Sequence, residues 1–373
     1  SGEAKQLTSG ANTYKYNPVW SPDSKRIAWT DKKNRLQFVE VESKTVTLVS
    51  EAEAFEIRDF TWAPDSQWLA FTKPEVRRFP NIYLYGLEAK NTVQVSDGWF
   101  GVNSPEFSSD GKYLFFVSER SFNPTYGETE WNHVYNDMER IYLVTLAKDT
   151  RSPFAPKSDE VKAKDEKKDD KPKDTPPDVK AKGDAPADKP VTTLTGLLND
   201  PQFRQVVAAL AKGESVTNLP IASTNAPATD AGKTNKTEKV VVKVDAEGIQ
   251  QRITVLSPGA STYGGLTSVG DKLYYLKKGK LHLFELEKEK ETEIGEVEGY
   301  RVSADQKKML VKVGGDFAIV DLPSGKLDIG DKKLGLTDLK VTLDRQAEWN
   351  QIYAECWRQM RDFLFDPNLH GVD

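Results

Sequence analysis

The side chains that most often carry out catalysis or bind metals are few and scattered in this 373-residue sequence. Its three histidines are His133, His282 and His370, and its one cysteine is Cys356. No histidine has a second histidine or a cysteine at metal-ligand spacing, so we expect no metal and no cofactor. The motifs Gly-x-Ser-x-Gly and His-Glu-x-x-His are absent. We therefore predict no catalytic residue here, with His282 a structural residue of a strand and Cys356 a packing residue of a helix.

One loop carries a set of aromatic and polar side chains that could bind a ligand. Residues 121–137 place Tyr126, Trp131, His133 and Tyr135 between two predicted strands. Loops on a rigid scaffold are where binding residues concentrate. This set is therefore a candidate for a substrate path or a domain interface, and packing of the aromatic rings onto their own sheet is the alternative interpretation.

Two adjacent arginines, Arg77 and Arg78, occupy the corresponding loop of the preceding repeat. A pair of guanidinium groups could bind a carboxylate, because each presents several donors in a fixed geometry. The alternative is a solvated pair with no ligand.

These candidate residues are held by a sequence motif that occurs three times. Each copy consists of an anchoring aromatic residue, a tight turn containing Asp, and an apolar strand, in residues 18–29, 60–71 and 105–116. The anchors Trp20, Trp62 and Phe107 lie 42 and 45 residues apart. This is the length of a four-stranded propeller blade, whose apolar faces are buried by neighbouring blades. The repeat therefore predicts an all-β propeller of TolB/WD40-like blades.

Two weaker copies follow further along the chain. Residues 266–275 and 302–311 keep the seven-residue step from the anchor to the returning strand, with Leu266 and Val302 as anchors. The sequence thus predicts five blades. Residues 5–8 are typical of the outer strand of a sixth blade. We assign blades to residues 1–150 and 237–335.

The segment between these two groups of blades has a different composition. Residues 157–190 contain ten Lys, ten Asp or Glu and five Pro, with no aromatic residue, Leu or Ile. Such a segment buries too little apolar surface to offset the entropy of ordering, which predicts a flexible insert over residues 151–236. Within it, residues 200–210 have the N-cap, first-turn proline and apolar spacing of a short helix.

The hydrophobic period changes from two to 3.6 near the C-terminus. One face of a predicted helix is formed by Trp349, Ile352, Tyr353, Cys356, Met360, Phe363 and Leu364. Pro367 is expected to end this helix, because the residue before a proline disfavours the α region. A long amphipathic helix after a propeller indicates a new domain over residues 336–373.

Charge and hydropathy exclude several partners. The net charge is −5 and the basic residues are not clustered, so we expect no nucleic acid as a partner. No apolar run approaches the ~20 residues that span a bilayer, so we expect no membrane either. One cysteine fits a reducing compartment, and we predict a cytoplasmic location, with the periplasm as the alternative if a signal peptide is removed.

Two segments resemble one family more specifically. The motif Asp245-x-x-Gly248-Ile249-x-x-Arg252 resembles the strand that enters the later blades of tricorn-type serine peptidases. Residues 347–373 are similar to the opening of the first core domain of these enzymes. The resemblance covers most of the chain outside residues 157–236.

This resemblance implies a function that the isolated motifs do not. Tricorn-type peptidases have two propellers, a helical core domain, a PDZ domain and a second core domain with the nucleophile. The chain would then be the later blades of the second propeller, which guides peptides to the active site. His370 matches a structural turn, so no catalytic residue carries over. The implied partners are peptides, the downstream PDZ and core domains, and further copies in a homo-oligomer.

Two other functions stay open at this point. A TolB-like propeller would bind a protein or a solute with no peptidase attached. The propeller of a prolyl-oligopeptidase relative would be followed by an α/β-hydrolase domain with a Gly-x-Ser-x-Gly motif.

Overall fold

The structure, a computed structural model, describes residues 4–10, 13–122, 124–127, 133–155, 240–364, 366 and 371. The chain divides into one unit of residues 1–157 and 238–373 and a second unit of residues 158–237. The second unit lies outside the described residues, as do the predicted helix over residues 200–210 and most of the predicted insert.

Five antiparallel sheets follow one another along the described chain and form the blades of a propeller. The first blade contains β1 (Lys15–Trp20), β2 (Arg26–Asp31), β3 (Arg35–Glu40) and β4 (Val46–Glu51), and the second β5 (Phe60–Trp62), β6 (Trp68–Lys73), β7 (Asn81–Gly86) and β8 (Asn91–Gln94). The third contains β9 (Val102–Phe107) and β10 (Tyr113–Ser118), then a separate ribbon of β11 (Pro124–Tyr126) and β12 (His133–Tyr135), and then β13 (Arg140–Thr145) and β14 (Ile253–Val255). The fourth contains β15 (Tyr263–Val269), β16 (Lys272–Lys277), β17 (Lys280–Glu285) and β18 (Lys290–Glu296), and the fifth β19 (Gly299–Val302), β20 (Lys308–Val313) and β21 (Asp316–Asp321). The predicted fold class is confirmed.

The first two strands of each blade share one register. Four of the predicted anchors pair with the residue seven positions later, as Trp20–Ile27, Trp62–Leu69, Phe107–Leu114 and Val302–Met309. In the fourth blade Thr267, not the predicted Leu266, holds this position and pairs with Tyr274. The prediction for Leu266 was wrong because β15 continues to Val269, which pairs with Lys272, so a two-residue turn replaces the longer turn that joins these strands in the other blades.

A side-chain network fixes the turn after the anchor. Ser21 Oγ donates to Asp23 Oδ1 at 2.6 Å, and the same carboxylate accepts from the Lys25 backbone N–H at 3.0 Å. The same arrangement recurs at Ser108 with Asp110 and at Ser303 with Asp305. These bonds lower the pKa of Asp23, although partial burial acts in the opposite direction. The repeated Asp is thus a local turn residue with no catalytic role.

The hydrophobic core lies between neighbouring blades, so the anchor of one blade packs against residues of the preceding blade. Trp62 lies against Phe38 of the first blade, with 5.9 Å between the ring centres, and Phe107 joins the cluster of the second blade. Trp62 is 6% exposed, whereas Trp20, which has no preceding blade among the described residues, is 54% exposed. The position of an anchor in the ring therefore decides its burial.

The motif at residues 245–252 closes the third blade. The Arg252 guanidinium donates to the carbonyl oxygens of Thr145 at 2.9 Å and Glu247 at 2.8 Å, and Asp245 Oδ2 accepts from the Lys148 N–H at 2.8 Å. Gly248 has φ +67°, a conformation that glycine adopts without a steric penalty. The strand β14 that follows pairs with β13, so residues 146–252 lie between the third and fourth strands of one blade.

The C-terminal helix α1 (Arg345–Phe363) begins four residues before Trp349, the first residue of the predicted face. Asp344 caps it, since Asp344 Oδ1 accepts from the backbone N–H groups of Gln346 at 3.0 Å and Ala347 at 3.2 Å. The helix ends before Leu364, which is extended, and so stops earlier than the predicted boundary at Pro367. Its predicted apolar face is largely exposed.

Candidate functional site

The sequence-predicted residues lie in loops that share one face of the propeller. Neighbouring strands of a blade run in opposite directions, so every loop between a second and a third strand opens on the same side. In the second blade this is loop 74–80, with Arg77 and Arg78, and in the third it is segment 119–139. The two predicted sets are therefore placed in adjacent blades on one face.

In the described part of segment 119–139, β11 and β12 pair with each other and form a two-stranded ribbon separate from the sheet of the third blade. Tyr126 pairs with His133, and Pro124 with Tyr135, so Tyr126 and Tyr135 lie on one face of the ribbon. Tyr126 is 70% exposed, and the ring of Tyr135 lies 5.5 Å from that of Phe122. Trp131 is outside the described residues. Tyr135 is 51% exposed, so both described tyrosines present part of their rings to solvent.

The base of the ribbon is anchored to the body of the propeller. The Arg120 guanidinium lies 5.0 Å from the centre of the Tyr142 ring, a cation–π contact within the third blade. Asp137 forms an ion pair of 2.8 Å with Lys278, which belongs to the corresponding turn of the fourth blade. An exposed aromatic ribbon is thus held at a fixed position on the rim.

Arg77 and Arg78 are both exposed in loop 74–80. Beside them, Tyr83 donates from its hydroxyl to Glu75 Oε1 at 2.8 Å. Burial and this carboxylate raise the pKa of Tyr83 to about 12, while the charge of Arg78 acts in the opposite direction. Arg78 therefore lies near the Glu75–Tyr83 pair, and both arginines face solvent.

A cavity of about 340 Å³ lies beside this loop, between the second and third blades. Pro74, Phe79 and Pro80 of the loop contribute to its wall, and so does Glu119 at the start of the ribbon segment. The remaining lining residues are Glu56, Arg58, Asp59, Thr72, Gly101, Val102 and Asn103. Four of the lining residues, Glu56, Arg58, Asp59 and Glu119, are charged, so the cavity suits a polar ligand better than an apolar one.

A second polar group lies deeper, on the innermost strands. Glu106 of β9 accepts at Oε2 from the Thr61 hydroxyl of β5 at 3.3 Å. Burial raises its pKa to about 7, and the Ser268 backbone N–H of β15 and the charge of Arg301 on β19 both oppose this rise. First strands of four blades thus converge on one carboxylate, which places it at the propeller axis.

A cavity of about 480 Å³ lies between the fourth and fifth blades, and its wall includes Arg301, whose charge acts on Glu106. Its polar side is lined by Thr267, Tyr300, Arg301 and Lys312, and Lys312 forms an ion pair with Glu298. Tyr300 donates from its hydroxyl to the Gly265 carbonyl across the cavity. Apolar walls are provided by Leu266, Leu276, Leu310 and Phe317. The axis therefore offers a charged group and an apolar cavity next to each other.

Sequence reasoning missed Glu106 and Arg301, although the repeats contain a signal for them. Both precede the anchor of their blade, where the first two blades have Val19 and Thr61. Because the register of β1, β5, β9 and β19 is shared, this position is equivalent in each blade. At this position a charged residue in one blade, where other blades have an uncharged one, indicates a candidate functional residue at the axis.

The other two residues that the sequence analysis singled out for their chemistry are His282 in β17 and Cys356 in α1. His282 is 8% exposed, stacks on Tyr275 at 5.8 Å, and has Nδ1 3.3 Å from Glu291 Oε1. Burial lowers its pKa, so the ring is neutral near pH 7, as a structural residue requires. Cys356 is exposed, and its prediction as a packing residue was wrong because no described element covers this face of α1.

The described residues contain no group of three or more His, Cys, Asp or Glu side chains that could hold a metal ion. In the same part of the chain, no helix is both long enough and apolar enough to cross a bilayer.

Two family descriptions match the chain. The Tricorn protease second beta propeller domain matches residues 1–323, and the Tricorn protease C1 domain matches residues 345–373. The chain belongs to the tricorn protease second β-propeller family. The predicted resemblance is thereby confirmed, and so is the assignment of the chain to a propeller of this family, followed by the start of a core domain.

Individual relatives agree with this assignment. Tricorn protease homolog 1 of Streptomyces coelicolor is 24% identical over 99% of this chain and 31% of its own length. The Tricorn protease homolog of Saccharolobus solfataricus is 23% identical over 91% of this chain and 26% of its own length. A crystal structure of the tricorn protease shares the fold, with a TM-score of 0.64 and 15% identity over 96% of this chain and 30% of that one. The chain thus spans less than a third of the length of these relatives.

Proposed function

We propose that this chain is the non-catalytic propeller part of a serine peptidase that degrades peptides, and that the propeller guides peptides toward the catalytic domains. The observation that carries this proposal is the direct connection of the propeller to a helix of the C1 domain. The two are joined by contacts as well as by the chain.

These contacts are made between the first blade and the last turns of α1. The Tyr14 hydroxyl donates to Glu355, and the Tyr14 N–H donates to Asp362 Oδ2 at 3.1 Å. The ring of Phe363 lies 5.7 Å from that of Tyr14, with the Lys32 ammonium 4.7 Å from its centre. Lys32 follows β2, so the helix contacts the face that carries the ribbon and loop 74–80. A peptide path through this face would therefore lead toward the C1 domain.

The rim residues form the entrance in this proposal. Exposed aromatic rings provide contact area for a peptide of any sequence, and exposed arginines attract its carboxylates. The entrance contacts are Arg77, Arg78, Tyr126, Trp131, His133 and Tyr135. The charged walls of the 340 Å³ cavity, which include Arg58 and Glu119, then continue the polar surface inward.

The wider setting belongs to the same proposal. Downstream PDZ and core domains would supply the catalytic residues, and the full-length protein would be a homo-oligomer. The single cysteine supports a cytoplasmic location, and the net charge of −5 supports peptides over nucleic acid as ligands.

The test compares peptide hydrolysis by the unaltered full-length protein with hydrolysis by a variant in which a larger side chain narrows the space at the propeller axis. Thr61→Trp places a large side chain on an innermost strand, and Thr45→Trp places the same side chain in an exposed outer turn. We expect the first variant to slow hydrolysis of a long unstructured peptide roughly tenfold, which corresponds to about 1.4 kcal/mol in the barrier. The second variant should retain the unaltered rate.

Circular dichroism spectra of both variants serve as the folding control. The proposal fails if the full-length protein hydrolyses no peptide. It also fails if a folded Thr61→Trp protein and the Thr45→Trp control cleave the long peptide at the same rate.

A further inference from the structure

Glu106 is a partly buried carboxylate that forms no ion pair within 4 Å with any described residue. Its two donors are neutral, the Thr61 hydroxyl and the Ser268 N–H. A carboxylate held away from water without a cation is unfavourable and is compensated by a positively charged partner. The charge of Arg301 on β19 acts on this carboxylate without forming an ion pair with it, so the position next to the carboxylate can still accept a cation that pairs with it directly.

The direction of approach is limited by the propeller itself. Phe107, the next residue of β9, packs into the core between the second and third blades. Because alternate residues of a strand point to opposite sides, Glu106 points away from that core. Glu106 contacts the first strand of the second blade and the first strand of the fourth blade. A ligand can therefore approach its carboxylate only from the side of the propeller axis. A ligand that reaches this carboxylate must therefore enter the channel.

The neighbouring cavity restricts the size and chemistry of the ligand. Its volume of about 480 Å³ and its apolar walls suit one side chain or a short peptide segment. A divalent metal is disfavoured, because the described residues offer no cluster of ligands around Glu106. A positively charged group carried on an apolar stem fits both features.

We propose that Glu106 binds the ammonium group of a peptide in the channel, from a lysine side chain or from the N-terminus, with the apolar cavity beside it receiving the attached chain. This inference rests on the proposed function in one respect, that the ligand is a peptide. Charge–charge attraction in a site removed from bulk water supplies the selectivity.

The pH dependence follows from the groups that face the carboxylate. The charged or titratable side chains are Arg301 and Tyr300, both on β19, whereas β5 and β15 contribute the hydroxyl and the N–H. Arg301 stays charged, and burial raises the pKa of Tyr300, so Tyr300 stays neutral. Of these three side chains, only Glu106, with its pKa of about 7, changes its charge near neutral pH. Affinity for the ammonium group should therefore rise from pH ~6 to pH ~8.

The experiment measures binding of fluorescent peptides to residues 1–373 by anisotropy. One N-acetylated peptide contains lysine, a second contains norleucine in its place, and a third has a free N-terminus without lysine. We expect the lysine peptide to bind roughly tenfold more tightly than the norleucine peptide near pH 8, and the preference to fall several-fold near pH 6. The third peptide shows whether an N-terminal ammonium group is accepted as well.

Three variants separate this site from general electrostatics. Glu106→Gln should abolish the preference, and Glu88→Gln, which removes the same charge from an exposed turn, should retain it. Arg301→Gln should move the onset of the lysine preference to higher pH, because it removes the positive charge that lowers the pKa of Glu106. A preference that is retained but appears at higher pH cannot result from misfolding.

Equal binding of the lysine and norleucine peptides near pH 8 would overturn the inference, and so would a preference that survives in Glu106→Gln. The inference would also be overturned if none of the three peptides bound. The hydrolysis assay of the full-length protein is independent of these outcomes, so a failure here leaves the proposed function to its own test.

Discussion

Glu106 combines a polar side chain with a position that disfavours its charge, and this has a consequence for stability. Burial raises its pKa from 4.5 to about 7 in the folded chain. The folded state therefore binds a proton more tightly than the unfolded state, and its stability falls as the pH rises through this window. The penalty above pH 7 is at most roughly 3 kcal/mol, from about 1.4 kcal/mol for each pKa unit.

Replacing this residue with its neutral analogue should remove the penalty. We expect Glu106→Gln to raise the free energy of unfolding by about 2 kcal/mol near pH 8.5 and to leave it nearly unchanged near pH 5, where Glu106 is protonated. Urea unfolding at the two pH values measures the difference. An increase that is the same at both pH values would show that the carboxylate is not desolvated.

At the same scale, the sequence predicted the exposed rim residues and missed the axial ones. Tyr126 and Tyr135 were identifiable because a long loop interrupts the repeat. Glu106 lies in a regular strand, and its importance depends on Thr61, Ser268 and Arg301, which are distant in sequence. The convergence of such residues at an axis is a property of the radial arrangement of blades, which a single repeat does not encode.

At the scale of elements, the repeat fixed most strands and failed where local geometry differs. The seven-residue step predicts the pairing of Trp20, Trp62, Phe107 and Val302 correctly, since the same Asp-containing turn joins the strands. The fourth blade instead has a tight turn at Gly270-Asp271 after an irregular strand, so the step predicts the wrong residue there. Helix α1 was predicted from its period, but its start depends on the cap at Asp344.

The same helix provides a test of how the two domains are joined. Phe363 contacts the first blade through Tyr14 and Lys32, whereas Trp349, near the other end of the helix, is 61% exposed. We expect Phe363→Ser to make the helix more sensitive to protease, because it removes the apolar contact. Trp349→Ser is the matched control: it should leave this sensitivity unchanged and reduce any self-association.

Limited proteolysis and thermal unfolding of both variants distinguish the possible results. The main unfolding transition of the propeller should be retained in each, since neither residue belongs to a core cluster between the blades. Cooperative unfolding of the propeller by Phe363→Ser would show that α1 is part of the propeller core and that the domain boundary near residue 335 is misplaced.

At the scale of the whole molecule, the blades form a rigid wall around an axis that carries little chemistry of its own. The described residues include Glu106 at the axis, cavities of about 340 and 480 Å³ between blades, and an aromatic ribbon on the rim. The helix of the C1 domain contacts the same face as the ribbon. These binding groups and this contact are the features on which the proposed delivery of peptides to another domain rests.

The most direct test of this account is to locate a bound peptide on residues 1–373. A peptide with a photoreactive group is mixed with the purified chain, crosslinked by light and mapped by mass spectrometry. The account predicts crosslinks on the innermost strands β5, β9, β15 and β19, with the peptide itself left uncleaved. Crosslinks confined to the outer strands β4, β8 and β18, or cleavage of the peptide by this chain, would contradict it.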